Sequence, residues 1–300
     1  MNPLLLVAAG DLEEFINRLS IVSVLIASAL LVILVLLAVW VTKHKKKHLK
    51  TPLFFAIIIV VVGTTLTISG STIYLNLASA TGGPVHWHAD YEIWACGNEL
   101  NLRDPIGALS NKIGTPSLHE HNDKRIHVEG VPVTLPQDAS LGKFMDVVGG
   151  ELTQNKLVVP LNDSQLLENG PGEQDGDGDA APYPEQLSPF INTTKDGKQA
   201  TFINGQKCGD QAAEVQVFVY QLNAQDHTYR QTKLTDPANY GISHQSDVPP
   251  GDCVIFEFSP PKDRTNKLCK QYGLRDKIKC DRFGVPANER SNTCVNTELR

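Results

Sequence analysis

The segments VHWHADYEIWACG (residues 85–97) and LHEHNDKRIHVEG (residues 118–130) contain five of the nine histidines of this 300-residue chain. From Val85 to Ile93 the odd positions are hydrophobic and the even positions are polar. The polar positions are His86, His88, Asp90 and Glu92. A period of two is typical of a strand that buries one face. The first segment therefore predicts a β-strand with imidazoles and carboxylates on its exposed face.

The histidine spacing predicts a metal site. Histidines two residues apart on a strand point to the same side, about 7 Å apart along it, so their rings can converge on one ion. The candidate ligands are His86, His88, His119, His121 and His127. The nearby carboxylates, as further ligands or as groups that orient the rings, are Glu92, Asp123 and Glu129. Imidazole suits zinc and copper, so the predicted cofactor is a divalent transition metal, copper or zinc.

The turn inside the second segment decides which histidines share a face. A three-residue turn at 123–125 would place His121 opposite His127 and keep the histidines on one face, whereas a two-residue turn would move His127 to the other face. We favour the three-residue turn, although it directs the Glu120 side chain toward the presumed core.

Two hydrophobic runs precede this region, and each has 23 residues without a charge. Each is long enough to cross a hydrocarbon layer of about 30 Å as a helix. The predicted division is an extracytoplasmic N-terminus (1–18), a first transmembrane helix (19–42), a cytoplasmic loop (43–51), a second transmembrane helix (52–75) and a linker (76–83). Five lysines in the loop place it in the cytoplasm by the positive-inside rule. The chain is thus predicted to be a two-span protein of the cell membrane, in contact with lipid, with its C-terminal domain extracytoplasmic.

A cleaved signal peptide is the alternative interpretation of the first hydrophobic run. Residues 1–18 carry Asp11, Glu13 and Glu14 against Arg18 alone, and a secretory leader has a positive start. Neither run contains Asp, Glu, Lys, Arg or His, the residues that usually form an ion pathway through the bilayer. We therefore interpret the two helices as an anchor.

Charge and cysteines agree with an extracytoplasmic domain. Residues 76–300 hold 21 Lys and Arg against 30 Asp and Glu, a net charge of −9, which argues against nucleic-acid binding. All six cysteines lie in this part of the chain, and an even number predicts up to three disulfides in an oxidising compartment. The pairing stays open: Cys96 with Cys208 is a long-range candidate, and bridges within the tail around Cys269, Cys280 and Cys294 are favoured by proximity.

The remaining pattern predicts a mainly β fold, a compact antiparallel sandwich or barrel with one short helix, over residues 84–260. Predicted strands include 131–135, 156–161, 201–203, 215–220, 227–234 and 253–258. Ser140 is the expected N-cap of the helix, which ends before two glycines at 149–150. Residues 162–199 are rich in Gly, Asp, Pro and Asn and are interpreted as a loop insertion, and residues 261–300 as a cysteine-containing tail.

The motifs resemble those of an uncharacterised family of extracytoplasmic, often membrane-anchored bacterial domains. The matching stretches are HWHADYE (86–92), LHEHND (118–123), IHVE (126–129), SLGKF (140–144) and ING (203–205). The likeness covers residues 85–258 and leaves out the two spans and the tail. It implies a metal site at the histidine positions and no known reaction.

The pattern His86-x-His88-x-x-x-Glu92 also resembles the first motif of the cupins, in which two histidines and a glutamate hold a metal in a β-barrel. The chain departs from that motif, since Ala80 stands where the glycine is expected and no ligand histidine follows Pro250-Gly251.

Three functions are compatible with these features. The first is a membrane-anchored module that binds copper or zinc outside the membrane. The second is a metal-dependent enzyme, cupin-like or zinc hydrolase-like, in which Glu92 or Glu129 acts as general base. The third is a structural cell-surface protein without metal, whose histidines respond to pH. The sequence shows no substrate pocket and assigns no catalytic residue, so we favour the first; protein partners stay unassigned.

Overall fold

In the computed structural model the described residues are 9–105, 111–163, 165–166, 180–195, 197–223, 228–242 and 251–270. They belong to two compact units. The first comprises the chain up to Pro84 together with Val131–Thr134, and the second comprises Val85–Gly130 and the chain from Leu135 onward.

Two long helices, α1 (Ala9–Lys43) and α2 (Lys50–Ala78), form the first unit. A short 3₁₀ helix at Lys47–Leu49 joins them, and the two helices pack against each other. Most of their large hydrophobic side chains point outward and are exposed. Both helices are long and apolar enough to cross a membrane. An apolar surface of this extent is unfavourable in water and suits contact with lipid.

The second unit is built from sixteen strands within the described residues. They are β1 (Val85–Ala95), β2 (Asn98–Leu100), β3 (Ile113–Gly114), β4 (Leu118–Glu120), β5 (Arg125–Gly130), β6 (Glu151–Leu152), β7 (Lys156–Leu161), β8 (Gln165–Leu166), β9 (Ala180–Ala181), β10 (Ile191–Thr194), β11 (Gly197–Ile203), β12 (Lys207–Cys208), β13 (Gln211–Ala212), β14 (Glu214–Asn223), β15 (Thr228–Lys233) and β16 (Asp252–Ser259). One α-helix, α3 (Leu141–Val147), and 3₁₀ turns at Gln137–Ala139 and Glu185–Phe190 complete it.

The strands form a large sheet and a smaller one. The large sheet has the order β15-β14-β16-β1-β5-β4-β3, with β2 paired to the end of β1. The smaller sheet has the order β10-β11-β7-β6, and β12-β13 and β8-β9 are separate two-stranded ribbons. All pairings are antiparallel except that of β1 with β16. The described strands thus give the expected mainly β fold. They differ from the predicted antiparallel arrangement in the parallel pair of β1 and β16, and they do not close into a barrel.

The main core lies on the face of the large sheet that carries the odd-numbered side chains of β1. Trp87, Ala89, Tyr91 and Ile93 are all buried there, as their alternation predicts. Phe202 from the smaller sheet and Phe144 from α3 belong to the same cluster. The even-numbered side chains of β1 lie on the opposite side of the large sheet, which we call the outer face.

Helix α3 begins where the sequence predicts. The Ser140 hydroxyl accepts a hydrogen bond from the Lys143 backbone N–H at 3.2 Å, which satisfies one of the free donors of the first turn. Leu141 and Phe144 are fully buried, so the apolar stripe of this short helix anchors it to the core.

The structure differs from the sequence prediction at residues 131–135, which form no strand. Pro132 has no N–H to give to a ladder, and its carbonyl instead accepts hydrogen bonds from the Ala80 N–H and the Ser79 hydroxyl. Within the stretch 162–199, interpreted as a loop insertion, the structure has short strands and a 3₁₀ turn.

The start of the tail covers part of the outer face. Leu268 and Cys269 pack with Phe218, Tyr220 and Ile255 in a second, smaller cluster. The Tyr220 hydroxyl donates to the Lys267 carbonyl at 2.7 Å, and the Lys267 ammonium lies 3.6 Å from the centre of the Trp94 ring. Residues up to 270 are therefore part of the domain and not a separate tail.

Two disulfides are present among the described residues. Cys96 pairs with Cys208, as proposed from the sequence. Cys269 pairs with Cys253 of β16, so the expectation of a bridge within the tail is wrong for this cysteine. Cys253 lies beside Cys269 because the tail folds back over the outer face. Cys280 and Cys294 lie outside the described residues.

We predict that the double variant Cys253→Ala/Cys269→Ala loosens the tail from the outer face. The bridge spans a sequence separation of 16 residues, and loop-closure entropy assigns such a bridge about 3 kcal/mol. Peptide-resolved amide hydrogen exchange of the full chain in detergent should show faster exchange in residues 262–270. Cys96→Ala/Cys208→Ala is the matched control, because it should leave those amides protected. Equal protection in both variants would contradict a clamping role for the 253–269 bridge.

Candidate metal centre

The histidines converge on the outer face where β1, β5 and β4 lie side by side. His127 of β5 lies directly opposite His88 of β1 and directly opposite His119 of β4. His86 pairs in the same way with Glu129. Side chains directly opposite each other in antiparallel strands share a face and approach closely. His127 is therefore the centre of the arrangement, with an imidazole on each side of it.

The register of the second segment differs from the one we favoured. His119, and not His121, lies opposite His127, because seven residues, 120–126, separate this pair, two more than the three-residue turn at 123–125 would leave between His121 and His127. The partner of His127 is thus two residues away from the predicted one, and a shift of two residues preserves which side chains share a face. The expected convergence of histidines is therefore found, while His121 enters it from the loop.

The buried Glu120 carboxylate shapes this loop. Its Oε1 accepts hydrogen bonds from the backbone N–H groups of Asp123 at 2.8 Å and Lys124 at 3.1 Å. Asn122 and Lys124 have positive φ angles of 65° and 55°, a conformation that turns the chain sharply. Burial raises the pKa of Glu120 to about 7, and the backbone N–H groups oppose that rise. The inward direction of Glu120 thus holds the turn in place.

The loop places Asp123 against His127. The Asp123 Oδ2 lies 3.2 Å from the His127 Nε2, and a carboxylate can only accept at that contact. Although burial raises it, the pKa of Asp123 is below its usual range because of this hydrogen bond and the charge of His127. In a neutral ring the lone pair then lies on the His127 Nδ1, which is buried and makes no hydrogen bond to the described residues. A carboxylate that orients a histidine in this way is a common partner of metal ligands.

His119 and His121 present nitrogen atoms to each other. Their Nε2 atoms are 3.1 Å apart, and the His121 Nδ1 lies 3.0 Å from the Asn111 carbonyl oxygen, to which it donates. That hydrogen bond leaves the lone pair of a neutral His121 ring on Nε2, the atom that faces His119. His119 is fully buried. Gly114 beside it must lack a side chain, since a Cβ there would lie 2.5 Å from the Leu118 carbonyl oxygen.

Glu129 lies between the two ends of the cluster. Its Oε1 is 3.1 Å from the His86 Nε2, and its Oε2 is 3.9 Å from the His119 Nε2. The two carboxylate oxygens therefore face different histidines. The His86 side chain is 62% exposed, so this end of the cluster opens to solvent.

Two groups of three histidines have the geometry of a metal site. In each group the potential ligand atoms lie within 4.8 Å of one another, and the groups share His127. The groups are His86, His88, His127 and His119, His121, His127. Histidine groups in the described part of the chain could therefore hold a metal ion.

The environment keeps two of the rings neutral. Burial, then the charges of His127 and His86, lowers the pKa of His88 to about 4. Burial, then the charge of Lys112, lowers the pKa of His119 to about 4 as well. A neutral imidazole is the form that binds a metal.

Glu92 lies outside both histidine groups. Its two oxygens accept hydrogen bonds from the Trp94 Nε1 and the Lys270 backbone N–H, each at 2.8 Å. Between it and the histidines, the Asp90 carboxylate accepts from the Arg125 Nε at 2.7 Å. Of the carboxylates considered from the sequence, Asp123 and Glu129 thus contact histidines, while Glu92 binds the start of the tail. Sequence reasoning missed Glu120 and the Asn111 carbonyl, whose roles depend on the fold of the loop.

Comparisons with protein-family models, with curated proteins and with solved structures find no match for this chain. The interpretation of the site therefore depends on its own residues and geometry.

We predict that Glu92→Gln changes how stability depends on pH. Burial, then the charge of Glu99, raises the pKa of Glu92 to about 7. The protonated carboxyl is favoured in the fold, so the stability it contributes at low pH is lost as pH rises through about 7. Glutamine stays neutral, so the thermal unfolding temperature of the variant relative to the parent should rise between pH 5 and pH 8.

The control is Glu185→Gln at an exposed position, for which the difference from the parent should not change with pH. The parent and the two variants are all measured without metal in the same detergent. A Glu92→Gln difference that is the same at both pH values would contradict the raised pKa.

Proposed function

We propose that this chain is a membrane-anchored, extracytoplasmic protein that binds copper or zinc through the histidine cluster. Helices α1 and α2 serve as the anchor, and the β domain carries the ion on the outer face of its large sheet. The physiological role is the capture or holding of that ion outside the membrane.

The observation that supports this proposal most directly is the Asp123–His127–histidine arrangement. His127 belongs to both histidine groups, and the Asp123 carboxylate fixes its ring. Rings that are held before the ion arrives lose little freedom on binding, which favours affinity. Imidazole ligands with carboxylates around them suit zinc or copper better than calcium or magnesium, which prefer oxygen ligands.

A purely hydrogen-bonded histidine network explains the cluster less well. Such a network would satisfy its buried nitrogens, yet the Nδ1 atoms of His119 and His127 are buried and make no hydrogen bond to the described residues. A buried polar atom without a partner costs about 1–3 kcal/mol. In His127, Asp123 accepts from Nε2 and the lone pair lies on Nδ1, so a metal ion bound to Nδ1 would remove that cost.

The proposed location is supported by two independent features. The disulfides Cys96–Cys208 and Cys253–Cys269 fit an oxidising compartment. The lysine-rich loop between α1 and α2 fits the cytoplasmic side by the positive-inside rule. Because a two-helix anchor returns the chain to the side where it started, these features agree on an extracytoplasmic domain.

We predict that the full chain in detergent, once freed of metal, takes up Cu(II) or Zn(II) in competition with a chelator of known affinity. His127→Ala should weaken this uptake by at least tenfold, because both histidine groups lose a member. His48→Ala is the matched control, since His48 is an exposed histidine next to the lysines of the loop and should leave uptake unchanged. A parent chain that takes up neither ion, or a control that loses as much as His127→Ala, would refute the proposal.

We also predict that an amine-reactive reagent unable to cross membranes leaves the lysines of residues 43–50 unmodified on intact cells. The same reagent should modify Lys156 and Lys198 of the β domain, which serve as the internal positive control. Mass spectrometry of digested protein identifies each site. Modification of the loop with protection of the β domain would reverse the proposed topology.

A further inference from the structure

We propose that the cluster binds two metal ions and that the Glu129 carboxylate bridges them. This inference rests on the proposed function and adds the number of ions and the residue that links them. One ion is assigned to the group around His119 and His121, which we call the inner site. The other is assigned to the group around His86 and His88, which we call the outer site.

The number of ligands exceeds what one ion can use. A tetrahedral zinc ion takes four ligands, and a tetragonal copper ion takes four strong ones. The cluster offers five imidazoles and two carboxylates. The geometry divides them into two groups of three histidines whose one shared member is His127.

A neutral imidazole has one lone pair, so His127 can complete only one of the two sites. The other site then has two histidines and needs a further ligand. Glu129 can supply it, because its Oε1 lies 3.1 Å from the His86 Nε2 and its Oε2 lies 3.9 Å from the His119 Nε2. One carboxylate oxygen therefore faces each site, as in bridged pairs of ions about 3.5–4 Å apart.

The charges also favour a carboxylate at the bridge. Two divalent ions in close contact repel each other strongly, and an anion between them offsets that repulsion. Glu129 supplies one negative charge between the sites, and Asp123 supplies a second through the His127 ring. Arg125, whose charge acts on His88 and Asp123, forms an ion pair with Asp90 at 2.6 Å, which offsets part of its positive charge near the cluster.

The two sites differ in their exposure. His119 of the inner site is fully buried, whereas the His86 side chain of the outer site is 62% exposed. We expect the inner ion to dissociate slowly and the outer ion, which is closer to solvent, to dissociate faster. A chelator should therefore remove the ions in two steps.

The test is a titration of the metal-free full chain in detergent with Cu(II), read by elemental analysis and by electron paramagnetic resonance. The expected result is two copper ions per chain with fewer detectable spins than copper atoms, because ions bridged by a carboxylate couple magnetically. His86→Gln/His88→Gln and His119→Gln/His121→Gln should each bind one ion with a full spin count. Glu129→Gln should lose the coupling, while Glu185→Gln, at an exposed position, should keep it.

The outcomes separate this inference from the proposed function. One ion per chain, lost in both double-histidine variants, would overturn the two-ion site and leave the metal-binding function in place. Two ions that show no coupling in the parent would overturn the bridge. No copper uptake by the parent would overturn the inference and would also count against the proposed function. Zinc uptake by the metal-free parent, measured in competition with a chelator, then decides whether the proposed function holds.

Discussion

The antiparallel pairing of β1 with β5 is the constraint on which the rest of the domain depends. It places Trp87 opposite Val128 on the core side and His88 opposite His127 on the outer side. Because successive side chains of a strand point to opposite faces, both relations hold together or fail together. A slip of one residue would expose the core and bury the imidazoles. The hydrophobic core therefore sets the register that brings the histidines together.

Much of this arrangement could be predicted from local pattern. The alternation from Val85 to Ile93 predicts correctly which side chains of β1 share a face, and the Ser140 cap predicts the start of α3. The expected exposure of the polar face is wrong for Asp90 and Glu92, which are buried. The length of the turn between His119 and His127 could not be read in the same way. It depends on the Glu120 carboxylate, which binds backbone N–H groups of the turn, and no residue pattern specifies that contact. The parallel pairing of β1 with β16 could not be predicted from local sequence patterns either, because it joins distant parts of the chain.

The acidic residues show why residue type alone is a limited guide to a site. Asp90 and Glu92 of β1 and Glu120 of β4 are all buried carboxylates of the large sheet. Asp90 pairs with Arg125, Glu120 binds a turn, and Glu92 accepts a hydrogen bond from a backbone group 178 residues away. From the sequence Glu92 resembles a ligand because it lies on the same face of β1 as His86 and His88. Its hydrogen-bond partners are Trp94 of the same strand and Lys270 of the tail, and the Asp90–Arg125 pair lies between it and the histidines.

The position of β1 between β5 and β16 affects the order in which the strands of the domain can pair during synthesis. β5 follows β1 within 30 residues, whereas β16 begins only at Asp252, near the end of the described chain. As the chain is synthesised, β1, β4 and β5 can pair early, whereas the other edge of β1 stays open until β16 has been made. The histidine-bearing half is thus available for assembly first. The open edge of β1 is the place where a nascent chain is most exposed to pairing with another copy, so protection during biogenesis matters most there.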